Sequence, residues 1–111
     1  MQTFTLKSGT NKGNRRIWIE GNRLLDCGLT RGTALYRLMQ EDGTMIFVTK
    51  APTSKGPKAK RHTIAGKADR PILDLCGRWV TDFMGDHTHF EVKIQTLWNG
   101  VTELIIEPVT I

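Results

Sequence analysis

Apolar and polar residues alternate over short distances along this chain, which is the pattern of β-strands rather than of long helices. The predicted strands cover residues 3–6, 17–19, 34–39, 44–49, 62–64, 72–76, 89–97 and 101–107. Two short stretches with amphipathic helical spacing, residues 22–28 and 78–85, each follow a glycine and end at another one. The pattern therefore predicts a mainly-β protein with short helical turns.

One order of elements occurs twice in the chain: a strand, a basic loop, a strand, a helical turn and a hairpin. The hairpin signals Asp42-Gly43 and Asn99-Gly100 lie 57 positions apart, and each stands between two predicted strands. Both dipeptides favour a tight hairpin turn in which the two central residues have positive φ. The recurrence predicts an internal repeat of one small β-rich unit.

The repeat divides the chain into a first unit at residues 1–50, a basic linker at 51–61 and a second unit at 62–111. Each unit alone has few strands and open edges, so it cannot bury both faces of its hairpin. We therefore expect the two units to form one compact domain, a pseudo-twofold barrel or sandwich. The linker contains Pro52 and Pro57 and shows no apolar periodicity, so it is expected to be an exposed connector.

Charge is distributed unevenly around the net value of +5. Residues 1–23 carry five Lys or Arg against one Glu, and residues 50–70 carry seven against one Asp. Residues 71–111 carry two Lys or Arg against six Asp or Glu. Two positive blocks of this kind favour a polyanionic partner, and a solvated linker is the alternative reading of the same composition.

No segment has the length and apolarity of a membrane span, and residues 1–7 lack the order of a secretory signal. We therefore expect no membrane association and a cytoplasmic location. Cys27 and Cys76 have no metal-type spacing and are expected to be free thiols, with a disulfide as the alternative.

A glycine and apolar pattern resembles the SymE-like branch of the AbrB/MazE swapped-hairpin superfamily. The first unit has the pattern in Gly21, Leu24, Gly28 and Leu29, followed by Gly32-Thr33, and the second unit keeps Pro71, Ile72, Leu75, Gly77, Trp79 and Val80. The second unit departs from the pattern after Phe83, where no Gly-Thr follows. The resemblance implies a swapped-hairpin, AbrB-like barrel formed as a pseudo-dimer from two tandem β-rich repeats.

The resemblance also implies a function, because most relatives in that superfamily are DNA-binding transcription regulators or antitoxins of toxin-antitoxin pairs. The SymE-like branch further implies a toxin that acts on RNA. AbrB-type regulators often place arginines in the helical turn, but this chain has Leu24 and Leu25 there and only Arg23 is basic. Those DNA contacts are therefore not carried over.

Two sets of basic residues are the candidate nucleic-acid-binding residues. The first set is Lys7, Lys12, Arg15, Arg16 and Arg23, and the second set is Lys50, Lys55, Lys58, Lys60 and Arg61. The first set is predicted to lie on a flexible loop near Trp18. There an Arg side chain would bind phosphate through two hydrogen bonds, and a Lys side chain would supply a point charge. The second set is predicted to act as a flexible arm that contacts phosphates without reading sequence. An ordinary solvated loop and a soluble tether are the alternatives.

The sequence has no catalytic motif and implies no cofactor, so an enzymatic role is not favoured. A ribonuclease can nevertheless be built from His and a basic residue, and His62 beside Arg61 is the first place to test it. His87 and His89 with Asp86 are a possible metal set, but a polar turn is the better interpretation.

These observations lead to the hypothesis of a small DNA-binding transcription regulator of bacterial or mobile-element origin. Two alternatives remain: a SymE-like toxin that acts on RNA, and a protein–protein adaptor that uses the acidic second unit. The sequence is compatible with a homo-oligomer as well as with a monomer.

Overall fold

The computed structural model describes residues 2–51 and 59–111. In chain order its elements are β1 (Gln2–Lys7), β2 (Gly9–Asn11), β3 (Asn14–Glu20), α1 (Asn22–Leu25), β4 (Ala34–Met39), β5 (Met45–Val48), β6 (Lys60–Thr63), β7 (Ala65–Lys67), β8 (Arg70–Cys76), α2 (Arg78–Met84), β9 (His89–Thr96) and β10 (Thr102–Val109). The mainly-β prediction is confirmed, and each of the eight predicted strands corresponds to a strand of the structure. Two short strands, β2 and β7, were not predicted from the sequence.

The strands form two antiparallel sheets. One has six strands in the order β1-β9-β10-β5-β4-β6, and the other has four in the order β2-β3-β8-β7. Within the described residues no sheet closes on itself, so the architecture is the sandwich of the two predicted alternatives and not a closed barrel. Buried side chains from both sheets and both helices form one hydrophobic cluster between the layers.

The core follows from the alternation of the strands, because successive side chains point to opposite faces. In β9, Phe90, Val92 and Ile94 are buried while the residues between them are half-buried. Phe47 and Phe90 are the largest fully buried side chains. Burying each such side chain stabilises the fold by roughly 1.5–3 kcal/mol relative to leaving it exposed.

Strands from the two halves of the chain pair with each other in both sheets. The N-terminal strand β1 pairs with β9, and β6 pairs with β4, so each half supplies an edge strand to the hairpin of the other half. At the centres of the sheets β5 pairs with β10, and β3 pairs with β8. Each sheet is therefore symmetric about its centre, because every first-half strand on one side has a second-half strand at the equivalent place on the other.

The hairpin turns differ from the predicted two-residue type. Gly43 and Gly100 have φ of 89° and 84°, whereas neither Asp42 nor Asn99 has positive φ. Each turn instead has three residues, since Gln40 N donates to Thr44 O at 2.9 Å and Leu97 N donates to Val101 O at 2.8 Å. The aspartate and asparagine act through their side chains, which accept backbone N–H groups two residues later.

A turn with positive φ at both central residues does occur, but it lies in the basic loop of the first half, which was predicted to be flexible. Lys12 and Gly13 have φ of 52° and 84° and join β2 to β3, whose residues Asn11 and Asn14 pair directly. These values are those of a type I′ hairpin turn. The basic loop of the first half is therefore a short, hydrogen-bonded hairpin.

The helices of the described residues are short. The longer one, α2, has seven residues, far fewer than the roughly 20 that cross a bilayer. Each helix presents apolar side chains to the core, with Leu24 buried in α1 and Val80 and Met84 buried in α2.

Candidate nucleic-acid interface

The outer face of the four-stranded sheet combines an exposed aromatic residue with cations. Ile17 and Ile19 on β3 point into the core, so alternation directs the residues between and beside them outward. The outward members are Arg16, Trp18 and Glu20 on β3, Arg70, Ile72, Asp74 and Cys76 on β8, and Ala65 and Lys67 on β7. We call this surface, together with Lys12 in the adjacent turn, the Trp18 face.

Trp18 occupies the middle of this face beside an ion pair. Arg16 donates two hydrogen bonds to the carboxylate of Asp74, both at 2.8 Å, and these bonds raise the pKa of its guanidinium above the ordinary value. The Arg16 Cζ atom lies 4.3 Å from the centroid of the Trp18 ring, and the indole is 37% exposed. Arg16 therefore supports the indole and neutralises Asp74, and it is not a free phosphate ligand.

Cations stand at both ends of the Trp18 face. Lys12 lies exposed in the β2–β3 turn, while Lys67 and Arg70 face each other across the β7–β8 hairpin. The seven residues of β8 separate the two ends by about 20 Å. Arg70 lies 3.7 Å from Glu20 and is 69% exposed, so solvent screens this pair and a phosphate can compete for the guanidinium.

The prediction did not include Lys67 and Arg70, although the sequence contained a signal for them. They belong to the same basic stretch as the linker lysines, and they flank the two-residue turn Ala68-Asp69, which carries one carboxylate. A cleft of about 580 Å³ opens beside them. It is lined by Gly21, Asn22, Gly66, Lys67, Asp69, Arg70 and Ile72.

Arg15, a predicted ligand of nucleic acid, is engaged within the protein. It is on β3 but points in the direction of Ile17, towards the inner side of the sheet. Its guanidinium donates to Ser8 Oγ and to the carbonyl oxygen of His87, and its backbone N–H donates to Thr81 Oγ1 at 2.9 Å. Arg15 therefore joins the start of β3 to the segments before β2 and β9.

Lys7 and Arg23 lie away from the Trp18 face. Lys7 ends β1, pairs with His89 and is exposed on the outer side of the six-stranded sheet. Arg23 is exposed on α1, and its Cζ atom lies 4.5 Å from the ring centroid of Phe4. The structure therefore does not bring the first predicted set together on one surface.

The second predicted set is also divided. Lys50 is exposed just after β5, whereas Lys60 and Arg61 belong to strand β6 rather than to a flexible arm. Backbone pairing explains this correction, because Arg37 and Tyr36 of β4 pair with Lys60 and Arg61. Lys55 and Lys58 lie outside the described residues.

The edges of the six-stranded sheet keep the two predicted sets apart. Strands β1 and β6 form opposite edges, with four strands between them. Five strand spacings correspond to about 24 Å. Lys7 on one edge and Arg61 on the other therefore cannot contact the same few phosphates.

His62, the candidate for acid–base chemistry, is packed between aromatic rings. Its ring centroid lies 5.5 Å from that of Phe47 and 5.7 Å from that of Trp79, and its Nε2 atom is buried. Burial first, and then the charges of Arg37 and Lys60, lower its pKa from 6.5 to about 4. A neutral imidazole with a buried Nε2 is poorly placed to exchange protons with an external RNA.

Arg37, which the sequence did not single out, completes this cluster. Its Cζ atom lies 3.7 Å from the ring centroid of Trp79, and burial lowers the pKa of the guanidinium. Its Nη1 atom and the His62 Nε2 atom are buried side-chain nitrogens without a hydrogen-bond partner among the described residues. A single Arg within a strand gave no signal that it would point inward.

The possible metal set does not converge. Strand β9 begins at His89, so His87 precedes the strand, and its Nδ1 atom lies 3.2 Å from Met84 O. The Nδ1 atom of His89 lies 2.7 Å from Thr88 Oγ1. No group of three or more metal-ligating side chains occurs in residues 2–51 and 59–111.

The opposite outer face of the sandwich carries three glutamates against the cations Lys7, Arg61 and Lys93. Glu91, Glu103 and Glu107 alternate with buried residues on β9 and β10, so they point outward from the six-stranded sheet. Glu91 is 3.6 Å from Lys93, which lies on the same face. The two outer faces of the molecule therefore differ in character.

Comparison with protein-family models, with curated proteins and with solved structures finds no match to this chain. The class defined by the fold is a mainly-β protein of two antiparallel sheets. The chemistry of the surfaces, rather than the fold, bears on function.

Proposed function

We propose that this protein binds nucleic acid, with DNA preferred, and that the Trp18 face is the binding surface. The observation that carries the proposal is the exposed indole of Trp18 standing between Lys12 at one end of the face and Lys67 and Arg70 at the other. Lysine and arginine supply the phosphate contacts that dominate affinity, and an exposed ring contacts sugar or base.

The scaffold proposed for this surface is a pseudo-dimer of two diverged repeats within one chain. Exchange of the edge strands β1 and β6 between the hairpins supports a swapped-hairpin arrangement. Central pairing of β3 with β8 and of β5 with β10 supports it as well. The resemblance to the SymE-like branch of the AbrB/MazE superfamily points the same way.

The distribution of carboxylates supports one binding face rather than two. On the outer side of the six-stranded sheet, three glutamates offset the charges of Lys7, Arg61 and Lys93, so this face offers a polyanion no net attraction. On the Trp18 face, Asp74 is neutralised by Arg16, and Glu20 has Arg70 nearby. A polyanion therefore approaches the four-stranded sheet more favourably than the six-stranded one.

DNA is preferred to RNA as the partner because the family resemblance implies transcription regulation. The packing of His62 between Phe47 and Trp79 weighs against the ribonuclease alternative. Strands can read DNA directly in either groove, so a sheet surface is compatible with this role. The 20 Å between the two ends of the face corresponds to about six base-pair steps.

The test is a binding titration of a labelled mixed-sequence duplex over a series of salt concentrations. Lys12→Ala and Lys67→Ala are each expected to weaken binding and to reduce the salt slope by about 0.9, the value for one lost phosphate contact. Lys93→Ala is the matched control, since it removes the same charge from the opposite face and is expected to leave the slope unchanged. A parallel RNA duplex measures the preference for DNA.

Absence of duplex binding by the wild-type protein at low salt would refute the proposed function. Equal slope reductions in the Lys93→Ala and Lys67→Ala variants would show that overall charge, and not the Trp18 face, determines binding. Tighter binding to RNA than to DNA would overturn the proposed preference.

A further inference from the structure

Trp98 is the most exposed large hydrophobic residue of the described chain. It lies at the tip of the β9–β10 hairpin and is 98% exposed, compared with 37% for Trp18. An indole that remains in water gains nothing from folding, because it is equally exposed in the unfolded chain. The fold therefore gives no reason for a tryptophan at this position.

The turn that carries Trp98 is well ordered by hydrogen bonds. Leu97 N donates to Val101 O at 2.8 Å, and Gly100 N donates to Leu97 O at 2.9 Å. The side chain of Asn99 accepts from Val101 N at 3.1 Å, and Gly100 has the positive φ that this turn requires. The backbone that carries the indole is thus hydrogen-bonded before binding, so only the side chain has to be ordered when it binds.

Cations lie at the same end of the six-stranded sheet. Thr49 N donates to Thr102 O at 3.2 Å and Thr102 N donates to Thr49 Oγ1 at 3.0 Å, so Lys50 directly follows the strand that flanks the hairpin. Arg31 lies in the loop before β4, the strand next to β5 in the sheet. No carboxylate of the described residues lies within 4.0 Å of Lys50 or Arg31.

The tip of the other long hairpin has the opposite character. The β4–β5 turn carries Glu41 and Asp42, and Asp42 accepts hydrogen bonds from Thr44 that lower the pKa of its carboxyl. Since both tips form the same three-residue turn, backbone geometry does not dictate these side chains. One tip repels phosphates, and the other offers an aromatic surface near the cations Lys50 and Arg31.

From this juxtaposition we propose that Trp98 stacks on an unpaired nucleobase while Lys50 holds an adjoining phosphate. The proposal rests on the nucleic-acid-binding function and adds a contact that is separate from the Trp18 face. Stacking on an aromatic ring depends little on which base is present, because every base has a π-face. Bases inside a duplex are already stacked on each other, so the gain is available only in single strands or at opened positions.

The experiment compares two probes, a labelled oligothymidine of about 15 nucleotides and a duplex of the same length. Trp98→Leu is expected to weaken binding of the single strand about tenfold, within the range measured for one stacked base, and to change duplex binding less than twofold. Trp98→Phe keeps a ring and is expected to bind the single strand within about threefold of the wild type. Lys50→Ala is expected to reduce the salt slope on the single strand by about 0.7.

Met39→Ala is the matched control, because Met39 is an uncharged side chain, 53% exposed, at the end of the strand that leads to the other tip. It is expected to bind both probes as the wild type does. Unchanged single-strand affinity in Trp98→Leu would overturn the stacking contact while leaving the proposed function intact. Absence of binding of both probes by the wild type would remove the proposed function, and the stacking contact with it. Trp98-dependent binding to anionic lipid vesicles, with no dependence on Trp98 for DNA, would assign the indole to a membrane surface instead.

Discussion

Two corners of the sandwich each pack a short helix against an edge strand, but one keeps its arginine exposed and the other partly buries it. In the β1 corner, α1 lies against the edge strand β1, and the exposed Arg23 covers the ring of Phe4. In the β6 corner, α2 lies against the edge strand β6, and Trp79 packs on Arg37 and on His62. The first corner leaves its cation in water, whereas the second buries polar nitrogen atoms of Arg37 and His62 without hydrogen-bond partners among the described residues.

The comparison shows that the same arrangement of helix and edge strand can hold either an exposed cation or partly buried polar side chains. A buried polar group without a hydrogen bond costs roughly 1–3 kcal/mol, so the β6 corner is expected to be the less stable of the two. Its ring contacts offset part of this cost, since a desolvated cation–π contact stabilises by about 2 kcal/mol. Removal of Trp79 is therefore expected to destabilise the protein more than removal of Arg23.

The largest effect is expected for Trp79→Ala. This change removes the ring that contacts both Arg37 and His62, and it should lower the free energy of unfolding by about 3 kcal/mol, near the lower end for deletion of a large aromatic side chain. Urea denaturation followed by circular dichroism measures it.

Arg23→Ala in the β1 corner is the matched change, and it should cost less than about 1 kcal/mol because the Arg23 side chain is exposed. Equal losses for the two variants would contradict the proposed difference between the corners.

A smaller effect is expected from acidification. The unfolded chain binds a proton at His62 below pH 6.5, whereas in the folded chain the pKa is lowered to about 4. The free energy of unfolding should therefore decrease as the pH falls from about 6.5 to about 4, and His62 should contribute no slope above this window. A shift of this size corresponds to about 3 kcal/mol, and solvent screening of the half-buried ring reduces the expectation to about 2 kcal/mol.

The control for acidification is His62→Phe, which places at this edge-strand position the residue type that β1 has at Phe4. Carboxyl groups titrate in both proteins, so only the difference between the two pH profiles reports His62. Parallel profiles between pH 4 and 6.5 would show that His62 titrates in the folded protein as it does in the unfolded chain.

The smallest effect is expected for Arg37→Met, which keeps a long apolar side chain and removes the charge. Burial is the main reason for the low pKa of His62, and the charge of Arg37 adds to it. The pKa of His62 should therefore rise in the variant but remain below 6.5, as measured by NMR titration of the imidazole resonances. An unchanged or lowered pKa would remove Arg37 from the electrostatics of the β6 corner.

Most of the secondary structure was predictable because its signals are local. Alternation located the edge strand Gln2–Lys7 and the hairpin strands His89–Thr96 and Thr102–Val109 to within a few residues. Gly43 and Gly100 marked the turns correctly, but the assignment of positive φ to Asp42 and Asn99 was wrong. Turn length depends on how the flanking strands pair, and that information is not contained in a dipeptide.

The candidate site was predictable only in part. Lys12 is exposed as expected, but Arg16 is held by Asp74, 58 positions away in the chain. Arg15 is held by His87, 72 positions away, as well as by the nearby Ser8. Lys67 and Arg70 reach the Trp18 face because β7 and β8 pair as a short hairpin beside β3. Only the fold decides which cations remain free, since a partner for a side chain can come from any part of the sequence.

The sequence by itself determined that this protein is mainly β, where eight of the ten strands of the described residues and the tips of the two long hairpins lie, and that its halves differ in charge. These properties depend on side-chain periodicity, on glycine and on composition, which act over a few residues. The tertiary structure alone decided that β1 pairs with β9 and β6 with β4, that Trp18 and Trp98 remain exposed, and that Arg37 points inward. These outcomes depend on pairing between strands far apart in the chain, because an edge strand joins whichever hairpin buries its apolar side.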